Sequence, residues 1–248
     1  MWNGCGRSNL SITMAGSTAF QPFAEKLAGQ YMSFHPEVNI TVQGGGSAVG
    51  VQSTISGAAQ IGMADLVDLP EEAKVLHSTV VARDGISVIV HPSNSVSDLT
   101  TDQIRQIFSG KIKNWKEAGG FKAPITVVSR EAGSGTRSSF EQIVKDIHLT
   151  DNAIIQDSNG TIRETVANDK NTIGYISHGL LNDKIKPLKV NGVECTVLSI
   201  KDGKYPLVRP VFLLTKTKPE GAVAAFIEYI LSPNGQKTIE TSGLISIQ

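Results

Sequence analysis

The chain has 248 residues, with Lys plus Arg and Asp plus Glu both totalling 23, so it carries no net charge. That balance argues against a nucleic-acid binder, which would show a basic excess. At 40% hydrophobic and 19% charged residues, the chain can build one large α/β domain or two lobes of about 100 residues each. No stretch approaches the ~18 uninterrupted apolar residues of a membrane span. The two cysteines, Cys5 and Cys195, have no histidine pair nearby and indicate neither a disulfide framework nor a zinc site. Residues 1–8 include no apolar run of signal-peptide length and are expected to form a flexible tether or a remnant of a lipid-attachment segment.

Leu10 to Ala15 reads as a first strand. Gly16-Ser17-Thr18 then opens a helix with the stripe Phe20, Phe23, Ala24, Leu27 and Tyr31. Pro22 falls in its first turn, where a missing N–H is tolerated, and Pro36 bars continuation. Val38 to Val42 is a second strand, Gly44-Gly45-Gly46-Ser47 leads into a helix through Val51 and Ile55, and Gln60 to Met63 is a third strand ending at Ala64-Asp65. Leu69-Pro70-Glu71-Glu72 starts a short helix. Thr79 to His91 is β-rich, with an expected break at Arg83-Asp84-Gly85 and a crossover to a second lobe near Val88 to His91.

The second lobe is expected to repeat the alternation. Thr101 to Phe108 is helical, Ile125 to Val128 a strand, Thr136 to Ile147 a helix, and Ser158-Asn159-Gly160 caps a helix carrying Ile162 and Val166. Thr172 to Ser177 and Ile185 to Val190 read as strands. Leu207 to Thr215, broken by Pro210, reads as the return crossing, and two helices close the chain: one on Val223, Phe226, Ile227, Ile230 and Leu231, the other over Pro233 to Glu240. The expected division is 1–88 plus 211–248 against 89–210.

Three strand-to-helix junctions carry Ser, Thr and Gly: Gly16-Ser17-Thr18, Gly46-Ser47 and Ser134-Gly135-Thr136. None matches a known fingerprint. The triple glycine lacks the lysine of a P-loop, the spacing misses GxGxxG, and neither Ser47 nor Ser134 has the GxSxG elbow. Each alone reads as a helix cap and a tight turn. In a parallel α/β lobe, however, such junctions gather on one edge, where hydroxyls and free N–H groups can enclose a small oxyanion. Arg130, just before the third glycine turn, offers a planar fork suited to phosphate oxygens. Its alternative is a salt bridge with Glu131. Two readings stand open for Arg137, a ligand contact or a solvent-facing residue. Asp65 is an acceptor-only carboxylate beside an anion site, so it would welcome a ligand that carries a proton and penalise one that does not.

Taken in order, AGSTAFQPFAEKLAGQY (15–31), QGGGSAVG (43–50), IGMAD (61–65), FSGKIKNW (108–115), SREAGSGTR (129–137), TIGYIS (172–177) and LSPNGQK (231–237) resemble the phosphate-binding component of bacterial ABC-type phosphate uptake systems. The resemblance implies an α/β, two-lobed, periplasmic-binding-protein-like (type II) fold with two hinge crossings. It implies phosphate contacts at Thr18 and Ala19 through the backbone and at Ser47, Asp65, Arg130, Ser134, Gly135 and Thr136, with Ser17 adjacent. It implies inorganic phosphate and the transmembrane subunits of an importer as partners, no cofactor, metal or nucleic acid, a monomer, and a place in the periplasm or on the extracellular face of the cell membrane, anchored through Cys5. One departure stands out: some members carry an aspartate before the Gly-Ser-Gly-Thr turn to pair the arginine, and here the position is Ala132. The competing readings are a phosphoester hydrolase using Ser134 or Ser47, and a binder of another tetrahedral oxyanion such as sulfate or molybdate. Against the hydrolase, His35, His77, His91, His148 and His178 all lie outside the three loops.

Overall fold

The computed structural model describes residues 10–248; the expectations for residues 1–8 and Cys5 fall outside them. In chain order the first unit holds β1 (Leu10–Gly16), α1 (Gln21–Phe34), β2 (Val38–Gln43), α2 (Ser47–Ser56), β3 (Ile61–Ala64) and the long β4 (His77–Val90). The second holds β5 (Asp98–Leu99), α3 (Thr101–Phe108), β6 (Thr126–Arg130), α4 (Gly135–Val144), β7 (Ile154–Gln156), α5 (Asn159–Asn168), β8 (Thr172–Ser177), β9 (Lys186–Pro187), β10 (Lys189–Val190) and α6 (Val197–Lys201). β11 (Val208–Thr215), α7 (Gly221–Leu231) and α8 (Pro233–Thr241) return to the first. β1 pairs in parallel with β2 and β3, and β6 in parallel with β7 and β8. The expected alternation is therefore present twice, and one mixed sheet runs β2-β1-β3-β11-β4-β8-β6-β7.

The apolar residues form two main clusters. Met14, Leu27, Ile61, Met63, Phe226 and Ile230 anchor one; Val90, Ile104, Phe108, Trp115, Phe140 and Tyr175 anchor the other. Along β4, Val81 and Ala82 belong to the first cluster and Ile86 and Val88 to the second. Along the return, Leu207 belongs to the second and Val211 to the first. Both crossings therefore lie side by side, at Arg83–Gly85 and Val208–Pro210, where β4 and β11 pair antiparallel.

Several boundaries differ from the sequence reading, each for a local reason. β4 is continuous through Arg83-Asp84-Gly85, because β11 pairs it as far as Gly85 and β8 takes over at Ile86. Gly85 is required there: a Cβ would sit 2.7 Å from the Cys195 sulfur. Pro210 does not break β11. Its partner Arg83 turns both backbone groups away, toward Ile245, so the pair is a non-hydrogen-bonded one and Pro210 needs no N–H on that side. β11 meets β3 only from Phe212 onward, so none is needed on the other. α4 stops at Val144 rather than Ile147: Lys145 and Asp146 take φ of 61° and 51°, and the Arg105 guanidinium caps the Val144 and Lys145 carbonyls. The stretch Ile185 to Val190 divides into β9, which pairs β4, and β10, which pairs β5.

Cys195 packs against the first crossing. Burial pushes its thiol up to about 12, and only the thiolate attacks electrophiles. In a Cys5→Ser background, iodoacetamide at pH 8 is expected to label Cys195 only as fast as the protein unfolds. Rapid labelling of the native state would contradict this packing.

Candidate functional site

The first unit contributes two junctions. β1 ends at Gly16, whose φ is 134° and whose Cβ would lie 2.2 Å from the Met63 carbonyl oxygen, so only glycine lets the chain turn beneath β3. Ser17 is buried and donates its N–H to Met63 O at 2.9 Å. Its hydroxyl oxygen accepts from the N–H of Ala19 (3.2 Å) and Phe20 (3.0 Å), closing a turn ahead of α1. The helix thus begins at Gln21, not at Ser17, and the Thr18 N–H has no acceptor among the described residues. Ser47 is the first residue of α2, behind Gly46 at φ 89°. Its hydroxyl donates to Asp65 Oδ1 at 2.8 Å and accepts from the Asp65 N–H at 3.2 Å.

The second unit contributes the third junction. Ser134 caps α4, its Oγ accepting from Arg137 N–H at 3.2 Å. The N–H groups of Gly135 and Thr136 are left as the unsatisfied donors of a helix N-terminus, at the positive end of its dipole. Thr136 Oγ1 donates to Asp65 Oδ2 (3.4 Å) and Ser139 Oγ to the Asp65 carbonyl (3.3 Å). The three junctions do converge, but from opposing units, not along the edge of one lobe. The units touch across the site: Ala48 N–H donates to Gly133 O at 3.1 Å, and Gln142 Nε2 to Asp68 Oδ2 at 2.6 Å. Gly135 is packed so closely that a Cβ would meet Ser47 Oγ at 2.1 Å and the Asp65 carbonyl oxygen at 2.6 Å.

Arg130 is 1% exposed. Glu131 grips it with both carboxylate oxygens, through Nε at 2.9 Å and Nη2 at 2.8 Å, and the Asp157 carbonyl takes a further bond from Nη2 at 3.1 Å. With Ala132 in the acidic position, the preceding residue orients the guanidinium instead. Nη1 is buried with no partner among the described residues. Arg137 commits Nε to Glu141 and Nη1 to the Arg130 carbonyl, which leaves Nη2 alone for a ligand or for solvent.

Sequence reasoning missed three residues here. Arg209 on β11, fully buried, places Nη2 2.5 Å from Asp65 Oδ2 and 2.9 Å from Asp84 Oδ2. Asp84, its register partner on β4, also accepts from Ser177 Oγ at 2.9 Å. Burial pushes the Asp84 carboxyl up, opposed by Arg209 and the Ser177 hydroxyl. Asn159, at the start of α5, is buried, accepts from Ser177 N–H at 3.0 Å and points Nδ2 at Thr18 Oγ1, 3.4 Å away. A signal for the first pair was present: an arginine inside an apolar strand, and an aspartate inside another, demand partners once buried.

Known proteins share this architecture. Residues 5–234 match the model of a PBP superfamily domain. The phosphate-binding protein PstS of Bacillus subtilis is 36% identical over 235 residues, covering 93% of this chain and 78% of its own. A Clostridium perfringens protein solved by X-ray crystallography with bound phosphate superposes with a TM-score of 0.93 at 40% identity, over 96% of this chain and 100% of that one. An ABC-type phosphate transport receptor from Vibrio cholerae gives 0.79 at 32% identity, over 95% and 99%. On this similarity and on the architecture described above, the chain belongs to the PBP superfamily and, within it, to the PstS family of phosphate-binding proteins.

Proposed function

We propose that this protein binds inorganic phosphate between its two lobes and delivers it to an ABC-type importer, performing no chemistry on it. The observation that carries the reading is the buried Arg130, oriented by Glu131 and Asp157 yet holding Nη1 without a partner, beside the free donors of the α4 N-terminus. The contacts are assigned to the N–H groups of Thr18, Ala19, Gly135 and Thr136, the hydroxyls of Ser17 and Ser134, those of Ser47 and Thr136 once they rotate from Asp65 to the ligand, Arg130 Nη1, and Asp65 as acceptor. Ala19 shares its N–H with Ser17, which makes it the weakest donor of the set. Each hydrogen bond to a charged group contributes roughly 1.5–3 kcal/mol, so a handful suffices for the roughly 8 kcal/mol of a micromolar complex after ordering losses.

Asp65 gives the selectivity. Phosphate near neutral pH has a proton to donate to a carboxylate and sulfate has none. The hydrolase reading finds little support: the carboxylate that takes the Ser47 hydroxyl proton, Asp65, is already paired with Arg209, Ser134 Oγ only accepts from a backbone N–H, and no histidine joins either bond. The lobes move about Arg83–Gly85 and Val208–Pro210, and the protein acts as a monomer outside the cytoplasmic membrane, held there by a lipid on Cys5. Mass spectrometry of the membrane-extracted protein tests that attachment.

Three outcomes test the site. Calorimetric titration of the wild type should show tight phosphate and weak sulfate binding, and Asp65→Asn should narrow the ratio by about 10²-fold or more; equal wild-type affinities would sink the assignment. Arg130→Ala should weaken phosphate by roughly 10- to 100-fold, as the loss of one charge-assisted bond predicts. Gly135→Ala should fold yet fail to close, so small-angle scattering with saturating phosphate should report a larger radius than the wild type.

A further inference from the structure

The functional reading leaves Arg209 without a role, although it is among the most constrained side chains in the molecule. It lies in the middle of the apolar β11 and its side chain is 0% exposed. All three guanidinium nitrogens are committed. Nη2 contacts both carboxylates, Nε donates to Asp84 Oδ2 (3.3 Å) and Nη1 to the Asp65 carbonyl (3.3 Å). Asp84 and Arg209 face one another on the two crossing strands, and Ser177 Oγ ties Asp84 to β8 of the second lobe. A cation needed only to neutralise Asp84 would have no reason to grip the carbonyl and carboxylate of Asp65 as well.

The consequence falls on Asp65. Its Oδ2 is taken by Arg209 and Thr136, while Oδ1 receives a single hydrogen bond among the described residues, from Ser47. A carboxylate oxygen has about two acceptor directions, so Oδ1 keeps one open. The terminal torsion of an aspartate is broad when unrestrained. Arg209 removes that freedom and supplies a counter-charge that a buried carboxylate requires. Fixing a group in its bound orientation before the ligand arrives improves affinity by lowering the ordering cost.

We propose that Arg209 is a positioning residue for anion selectivity: it holds Asp65 with one acceptor oxygen toward the ligand, without touching the ligand itself. The proposal rests on Asp65 being the acceptor of the phosphate proton. It predicts coupling between the two residues and an effect on discrimination, neither of which follows from a purely structural role.

The test is a double-mutant cycle of Asp65→Asn and Arg209→Lys, read by calorimetric titration with inorganic phosphate and with sulfate. Lysine keeps the charge and loses the fork that reaches two carboxylates at once. Arg209→Lys should lower phosphate affinity about tenfold and shrink the phosphate-to-sulfate ratio, whereas in the Asp65→Asn background it should change phosphate affinity by less than about twofold. Additive losses, or an equal loss for both anions, overturn the proposal. If Asp65→Asn alone keeps wild-type selectivity, the reading of Asp65 fails and the role of Arg209 with it; if Asp65→Asn loses selectivity but the cycle is additive, only Arg209's role fails. Should Arg209→Lys not fold, Arg209→Met with Asp84→Asn removes one charge of each sign and enters the same cycle with the same expected coupling.

Discussion

Everything near the site answers to one constraint, a carboxylate buried where the two lobes meet. Asp65 is 2% exposed, and an ionised carboxylate taken out of water is costly unless it is paired and hydrogen-bonded. Ser47, Thr136 and Arg209 supply those partners from α2, α4 and β11. The partners come from three elements because no one element could surround it. Ser139 adds a bond to its carbonyl. The same requirement explains why a glycine stands at position 135: the helix carrying Thr136 must approach the carboxylate closely, and a methyl group there would strike Ser47 and the Asp65 backbone.

The way the lobes are joined follows from the sheet. The crossings are not loops but two paired strands, β4 and β11, with the C-terminal segment adding a bridge between Ile245 and Arg83. The arginine and aspartate that face one another at that point are buried in contact with the site. The crossing and the Asp65 carboxylate are therefore linked through Arg209, so a change at Asp84 reaches Asp65 through two hydrogen-bonded steps.

Much of this was legible in the chain. Helices α3 and α5 and strand β8 fall where capping residues and periodicity put them, since Thr100 and Ser158 form true capping boxes. The glycine turns mark the first two junctions because Gly16 and Gly46 take positive φ, and the third because a Cβ on Gly135 would strike Ser47 Oγ. What failed were inferences that needed a partner. Arg83-Asp84-Gly85 looks like a turn in isolation; it is strand because Arg209 compensates Asp84 from across the sheet. Pro210 looks like a breaker; it sits in a pair that asks nothing of its nitrogen. The junctions were expected to gather as along one edge of a single lobe, although the expected division put the third in the second lobe; sequence order shows alternation but not which units face each other. Arg209 and Asn159 were missed for the same reason: their meaning lies in residues 144 and 141 positions away.

A neutral chain can therefore recognise an anion without a basic surface. The proposed site contains one unspent guanidinium nitrogen, Arg130 Nη1, and its arginine is already matched by Glu131; Arg209 is matched by two carboxylates. Net charge in the immediate surroundings is close to zero or negative, so long-range attraction contributes little, and screening by salt acts mainly beyond about 10 Å. Binding must then come from short-range, directional donors already in place: backbone N–H groups at two turns and hydroxyls that need only rotate. Such a site favours a ligand by geometry and by protonation rather than by charge. On that logic a second buried cation would raise affinity for every oxyanion alike, whereas Asp65, in its proposed role, adds a bond for a protonated ligand alone and so contributes discrimination.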